Sequence, residues 1–111
     1  LYGIMDNIID YVNKNFTSCD ERELAKRYKV SYSYFSRTFK QMMNMSFKEY
    51  INYLRINEAQ RLLLTTGKSI TDISMEMGFS SPSHFINVFR RHMGRAPKQY
   101  RKNIAKTDTA E

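Results

Sequence analysis

One cysteine, Cys19, is all that 111 residues contain, so no disulfide can close within the chain. Two histidines, His84 and His92, are too few and too far from Cys19 to complete a zinc site. A lone Cys beside a helix start reads as packing. No apolar run reaches the roughly 20 residues of a membrane span, and no signal peptide is visible. A reducing, cytoplasmic setting follows. Catalysis lacks its raw material too: the acids sit in helix caps or exposed positions, and the two histidines, eight apart, have no nucleophile beside them. These absences argue against an enzyme and call for no metal or cofactor. The chain begins at Leu1 rather than Met, which suggests a piece of a longer protein whose sensor or dimerisation domain is missing.

What is present is a sentence written twice. Glu23–Ser31 falls on Asp72–Ser80 at an offset of 49, and after skipping Ser81, Tyr32–Lys40 falls on Pro82–Arg90 at an offset of 50. Asn44 then meets Gly94, Lys48 meets Lys98, and Tyr50 meets Tyr100. Each copy reads as a short helix, a tight turn and a second helix ending in a Phe and a base, the pattern of a helix-turn-helix. Two copies are too few for a solenoid, which needs three or more units to bury its faces. A pair of readers for a long, repetitive ligand fits better, and double-stranded DNA is the candidate.

Charge supports this. The net charge is +7, but residues 1–30 balance at five acids and five bases, and 61–80 at two and two. The surplus lies in 31–60, with four bases to two acids, and in 81–111, with seven to two. Those stretches hold the second helix of each copy, so the excess reads as a polyanion footprint.

The periodicity predicts an all-α chain of seven helices. The first spans about Tyr2–Asn15, with Ile4, Ile8, Tyr11, Val12 and Phe16 inward. Asp20 and Glu23 form a capping box for the second, Glu21–Tyr28. Ser31 caps the third, which stops at Asn44 near Met43. Ser46 and Glu49 open the longest, about Phe47–Thr65, whose stripe is Phe47, Tyr50, Ile51, Leu54, Ala59, Leu62 and Leu63. Ser69 and Asp72 cap the fifth, ending at Gly78. Ser81 caps the sixth, with Pro82 at its first position, where a missing N–H costs nothing. Gly94 ends it, and Pro97 opens a short last helix to about Lys102. The expected organisation is a helix-turn-helix subdomain over 1–45, a linker helix over 46–66, a second subdomain over 67–103 and a flexible tail over 104–111. The linker's 19 residues span roughly 28 Å as a helix, which approaches the roughly 34 Å between successive major grooves.

Plotted at 100° per residue, the third helix gathers Phe35, Phe39, Met42 and Met43 on one side and Ser33, Ser36, Arg37 and Lys40 on the other. The sixth sends Phe85, Phe89, His92 and Met93 inward and Ser83, Ile86, Asn87 and Arg90 outward. Short side chains let a helix approach a groove floor, Arg pairs with guanine, and Asn with adenine. Lys40, Arg90 and Arg91 fall where phosphates flank the groove. Ile86 is either a chance surface hydrophobe or a partner for thymine methyl groups. His84 is either a phosphate or base donor or a solvated residue, and Tyr32 and Tyr34 are either phosphate donors or packing.

These residues resemble the DNA-binding domain of the AraC/XylS family of bacterial transcription regulators. The matching text is Leu54-Arg55-Ile56, Ala59, Leu62-Leu63, Ile70, Ile73, Gly78-Phe79, Phe85, Phe89-Arg90, Gly94, Pro97 and Tyr100-Arg101, within about residues 5–102. The resemblance implies two helix-turn-helix subdomains joined by a long helix, each placing its second helix in the major groove of promoter DNA. It carries base reading onto Ser33, Ser36 and Arg37, and onto Pro82, Ser83, His84, Ile86 and Asn87. It implies contact with RNA polymerase, activation of transcription, and an internal ion pair for Arg55. Ser74 stands where the family usually has Ala, and Asn87 where Arg is common. The rival reading is a basic helical protein-interaction module without sequence-specific DNA reading.

Overall fold

The computed structural model describes the backbone of residues 2–110 and the side chains of residues 3–104. Seven helices follow one another: α1 Tyr2–Asn15, α2 Glu21–Arg27, α3 Tyr32–Met43, α4 Phe47–Thr65, α5 Ile70–Glu76, α6 Pro82–Met93 and α7 Pro97–Ala110. No strand occurs among the described residues. The chain divides into two compact units, Leu1–Leu54 and Arg55–Glu111. The boundary falls inside α4, within the stretch that the sequence sets apart as a linker.

Helix starts follow the expected serines. Ser31, Ser69 and Ser81 each accept from the backbone N–H three residues on, at 3.1, 3.0 and 3.1 Å, which satisfies donors that the first turn leaves open. Ser46 Oγ accepts from the Glu49 N–H at 3.1 Å and donates to the Glu49 carboxylate at 3.0 Å. Asp20 departs from expectation: it has the extended backbone of a cap, but its side chain makes no cap hydrogen bond. Asn44 and Gly94 close α3 and α6 in the left-handed conformation, with φ of 58° and 83°.

In the first unit, α1 buries Met5, Ile8 and Val12 against Leu24 and Ala25 of α2, Phe35 and Phe39 of α3, and Phe47 and Ile51 of α4. Ile4, expected inward, is 42% exposed, because the stripe centres on Ile8 and Val12 and Met5 lies nearer its middle. Tyr11 and Phe16 are partly buried against this core. Phe39 sits among Phe35 (6.1 Å between ring centres), Phe47 (5.4 Å) and Tyr50 (5.8 Å). The edge-to-face pairs add to plain burial.

The second unit repeats the scheme. Ile56, Ala59, Leu62 and Leu63 of α4 are buried, with Ile73, Met77, Phe79, Phe85, Val88 and Phe89. Ile56 was absent from the expected stripe. Met5, Ile8 and Val12 of α1 match Ile56, Ala59 and Leu63 at a constant offset of 51, so the later half of α4 does for the second unit what α1 does for the first. Phe89 lies 5.8 Å from Phe85 and 5.5 Å from Tyr100. The Tyr100 hydroxyl accepts from Gln60 Nε2 at 2.6 Å, as Tyr50 donates to Asn13 Oδ1 at 2.5 Å in the first unit. Arg101 donates to the carbonyls of Leu63 (3.0 Å) and Thr66 (3.2 Å), completing the end of α4. Arg55, for which the resemblance implies an internal ion pair, donates to the Gly78 carbonyl at 3.2 Å and lies 5.6 Å from the centre of the Phe79 ring.

α7 runs to Ala110, past the Lys102 end expected from the sequence. Within the expected tail, the side chains of residues 105–111 lie outside the described ones.

Candidate nucleic-acid interface

Each unit places a twelve-residue helix, α3 or α6, behind a short one. The turn between them is built alike. Val30 and Phe79 donate back to the carbonyls of Ala25 (3.0 Å) and Ser74 (3.1 Å), while Lys29 and Gly78 donate to Lys26 and Met75, both at 3.1 Å. This paired closure is the Schellman pattern, and it needs a left-handed residue. The turn delivers the chain to Ser31 or Ser81, whose cap starts the second helix.

The inner side of α3 consists of Phe35, Thr38 and Phe39, and that of α6 of Phe85, Val88 and Phe89. With those sides fixed in the core, the outer sides are determined. Ser33, Arg37 and Lys40 are exposed and Ser36 is half-buried; Ser83, Asn87 and Arg90 are exposed and Ile86 is half-buried. Ser33 and Lys40 lie seven steps apart, about 10 Å of helix at 1.5 Å per residue. That covers about three base pairs at 3.4 Å each. Arg91 is exposed on the flank of α6. His92 is exposed rather than inward, since Met93 already occupies the inner edge of that last turn.

Three expected contact residues have neighbours within their own unit. Tyr32 is 39% exposed, but its hydroxyl donates to Glu21 Oε2 at 3.4 Å and the Arg22 guanidinium lies 4.2 Å above its ring. Ser36 lies near the same carboxylate. His84 is half-buried, stands edge-on to Phe79 at 5.4 Å, and has Nδ1 3.3 Å from Ser80 Oγ. Tyr34 is exposed. Glu21 and Arg22 were missed in the sequence because they precede the repeated text. Burial raises the Glu21 carboxyl above its ordinary value, against the lowering effect of the Tyr32 and Ser36 hydroxyls near it.

Among the described residues, no group of three or more His, Cys, Asp or Glu could hold a metal ion, and no helix is long and apolar enough to cross a membrane. The faces offer short polar groups, forked donors and cations in series, a set suited to binding a polyanion with readable edges.

Comparison with known proteins places the same text. A family described as "Helix-turn-helix domain" matches residues 24–103. The melibiose operon regulatory protein of Escherichia coli strain K12 is 39% identical over 80 residues, which cover 72% of this chain and 26% of that protein. The solved DNA-binding domain of AdpA, described as a global transcriptional factor in complex with a target DNA, is 27% identical with a TM-score of 0.81, covering 88% of this chain and 89% of that one. A Chromobacterium violaceum transcriptional regulator, described as containing an AraC-type DNA-binding domain, is 32% identical with a TM-score of 0.72, covering 85% of both chains.

Proposed function

The chain belongs to the AraC-type helix-turn-helix DNA-binding regulators, and on that premise we propose that both of its outward helix faces read base pairs in the major groove. It is a DNA-binding domain of transcription regulation. One observation carries the finer reading: α3 and α6 expose the same layout of small residue, long reader and terminal cation in two units with matching cores.

In this reading Arg37 makes a forked contact with guanine and Asn87 one with adenine, while Ser33 and Ser83 let the backbone close on the groove floor. Ile86, half-buried and apolar, meets a thymine methyl. Ser36 and His84 read beside them. Lys40, Arg90 and Arg91 hold flanking phosphates and set the register. Tyr32 reaches a phosphate only if it exchanges its bond to Glu21. Pro82 supplies shape rather than a hydrogen bond.

The whole protein's role is a further proposal, since the chain spans 26% of the melibiose regulator's length. We place it as a cytoplasmic activator with no catalytic step, whose other domain senses a signal or dimerises and whose surface meets RNA polymerase. Selection of bound sequences from a random duplex pool tests the DNA reading. Two enriched blocks, lost as salt rises, are the expected result, because each neutralised phosphate releases counterions. Binding without enrichment at fixed salt would favour a basic protein-interaction module instead.

A further inference from the structure

We infer that Arg22 is a phosphate contact of the first unit and that the Tyr32 ring is its platform, so that Tyr32 serves DNA binding through its face and not through its hydroxyl. The inference rests on the reading of α3 as a groove-facing helix. Arg22 belongs to α2, and Tyr32 is the first residue of α3. Both are exposed, and the guanidinium carbon lies 4.2 Å above the ring centre. The Tyr32 hydroxyl meanwhile donates to Glu21 at 3.4 Å. What the tyrosine still offers is its electron-rich face, which attracts a cation. A guanidinium is planar and carries five N–H donors as a rigid fork. Stacking uses its face and leaves the fork for phosphate oxygens.

The position fits such a contact. In a helix-turn-helix the first residues of the second helix meet base edges, while the first helix crosses the backbone. Arg22, drawn from α2 to the start of α3, stands where the two meet. Held there beforehand, it loses less side-chain freedom on binding than an unsupported arginine would. The second unit has neither part. Extending the repeat upstream at its offset of 49 sets Arg22 on Thr71, and Tyr32 corresponds to Pro82 at the offset of 50. Cation and platform are present together in one unit and replaced together in the other, as befits a single device. The charge distribution along the chain hides it, because Arg22 lies in the balanced stretch 1–30.

Titrations of a selected and a random duplex with the wild type, Arg22→Ala, Tyr32→Phe and Tyr32→Leu test the inference. Arg22→Ala should weaken both duplexes alike, by about tenfold near 0.1 M salt, and flatten the plot of log affinity against log salt by about one unit of slope, the share of one phosphate. Tyr32→Phe keeps the ring and should bind like the wild type. Tyr32→Leu should lose about two- to fivefold, the worth of an exposed cation–π contact, and should lose nothing more in the Arg22→Ala background. If the wild type selects no sequence from a random pool, the reading of α3 fails and takes the inference with it. If it selects one but Arg22→Ala binds both duplexes as the wild type does, the inference alone falls. Equal losses from Tyr32→Phe and Tyr32→Leu would make the hydroxyl the contact and overturn the platform. A loss from Arg22→Ala confined to the selected duplex would make Arg22 a base reader and overturn the inference as well. Should Tyr32→Leu fold poorly, the pair can be installed in the second unit, where Thr71→Arg/Pro82→Tyr should gain more affinity for both duplexes than Thr71→Arg alone. Equal gains there count against the platform.

Discussion

Lys29 holds in the first unit the left-handed backbone that Gly78 holds in the second, with φ of 58° and 87°. Both positions close the same paired hydrogen bonds between the two helices. Glycine enters this region freely, whereas a side chain there costs about 1–2 kcal/mol. Glycine also loses more freedom on folding, by about 0.5–1 kcal/mol. Lys29→Gly should therefore stabilise the protein by about 0.5–1 kcal/mol, seen as a higher urea midpoint with an unchanged slope. Gly78→Ala should lower the midpoint by at least as much. An unchanged or lower midpoint for Lys29→Gly would mean that the lysine stem offsets the strain.

Ser74 is fully buried in α5, and its hydroxyl has no hydrogen-bond partner among the described residues. Its counterpart in the first unit is Ala25, also buried. An unpaired buried hydroxyl costs about 1–3 kcal/mol, and alanine is the better helix former. Ser74→Ala should raise the thermal midpoint. A fall would indicate that the hydroxyl has a partner such as a bound water.

Arg37→Ala and Lys40→Ala should separate reading from holding. The first should cost about 1–3 kcal/mol on the selected site and relax preference at one base pair. The second should weaken selected and random duplexes alike and flatten the salt dependence. Titrations of both variants on both duplexes give the answer. Equal losses from Arg37→Ala on the two would remove it from the readers.

Glu21 gives a pH dependence with a definite sign. Burial holds its carboxyl above the ordinary 4.5, with Asp20 pushing the same way and Tyr32, Ser36 and Arg22 opposing. A group whose folded pKa is raised keeps its proton better in the folded state, so ionising it costs stability as pH rises. The gain of Glu21→Gln over the wild type should grow from about pH 4 to pH 7 and vanish below. Parallel denaturation curves at several pH values measure it. A gain that shrinks with rising pH would show that the hydrogen bonds outweigh the burial.

Most of the architecture was legible because its boundaries are chemical. Ser31, Ser46, Ser69 and Ser81 announce helix starts, and Asn44 and Gly94 announce stops, through local bonds that depend little on the rest of the chain. The misses arise where a neighbour decides. Ile56 escaped because apolar positions in α4 change register at the unit boundary, so a single stripe drawn from Phe47 runs onto Glu58 instead. Ile4 and Met5 were exchanged because both border the buried arc of α1, and the opposing helices choose between them. The outward layout of α3 and α6 was readable from the phenylalanines on their far sides. The engagement of Tyr32 by Glu21 was not, since it joins two helices through a carboxylate outside the repeated text.

Phe35, Phe39 and Tyr50 return as Phe85, Phe89 and Tyr100, with ring separations that agree within 0.3 Å for both pairs: 6.1 and 5.8 Å, 5.8 and 5.5 Å. What folds each half is thus one inheritance, and what each half recognises is another. Descendants of a duplicated ancestor can trade serine for isoleucine or arginine for asparagine on the outer side without disturbing the aromatic cluster. One half is then free to drift towards a new operator while its sibling keeps the protein on the old one, a route by which promoters and regulators can change partners without an interval in which neither is bound.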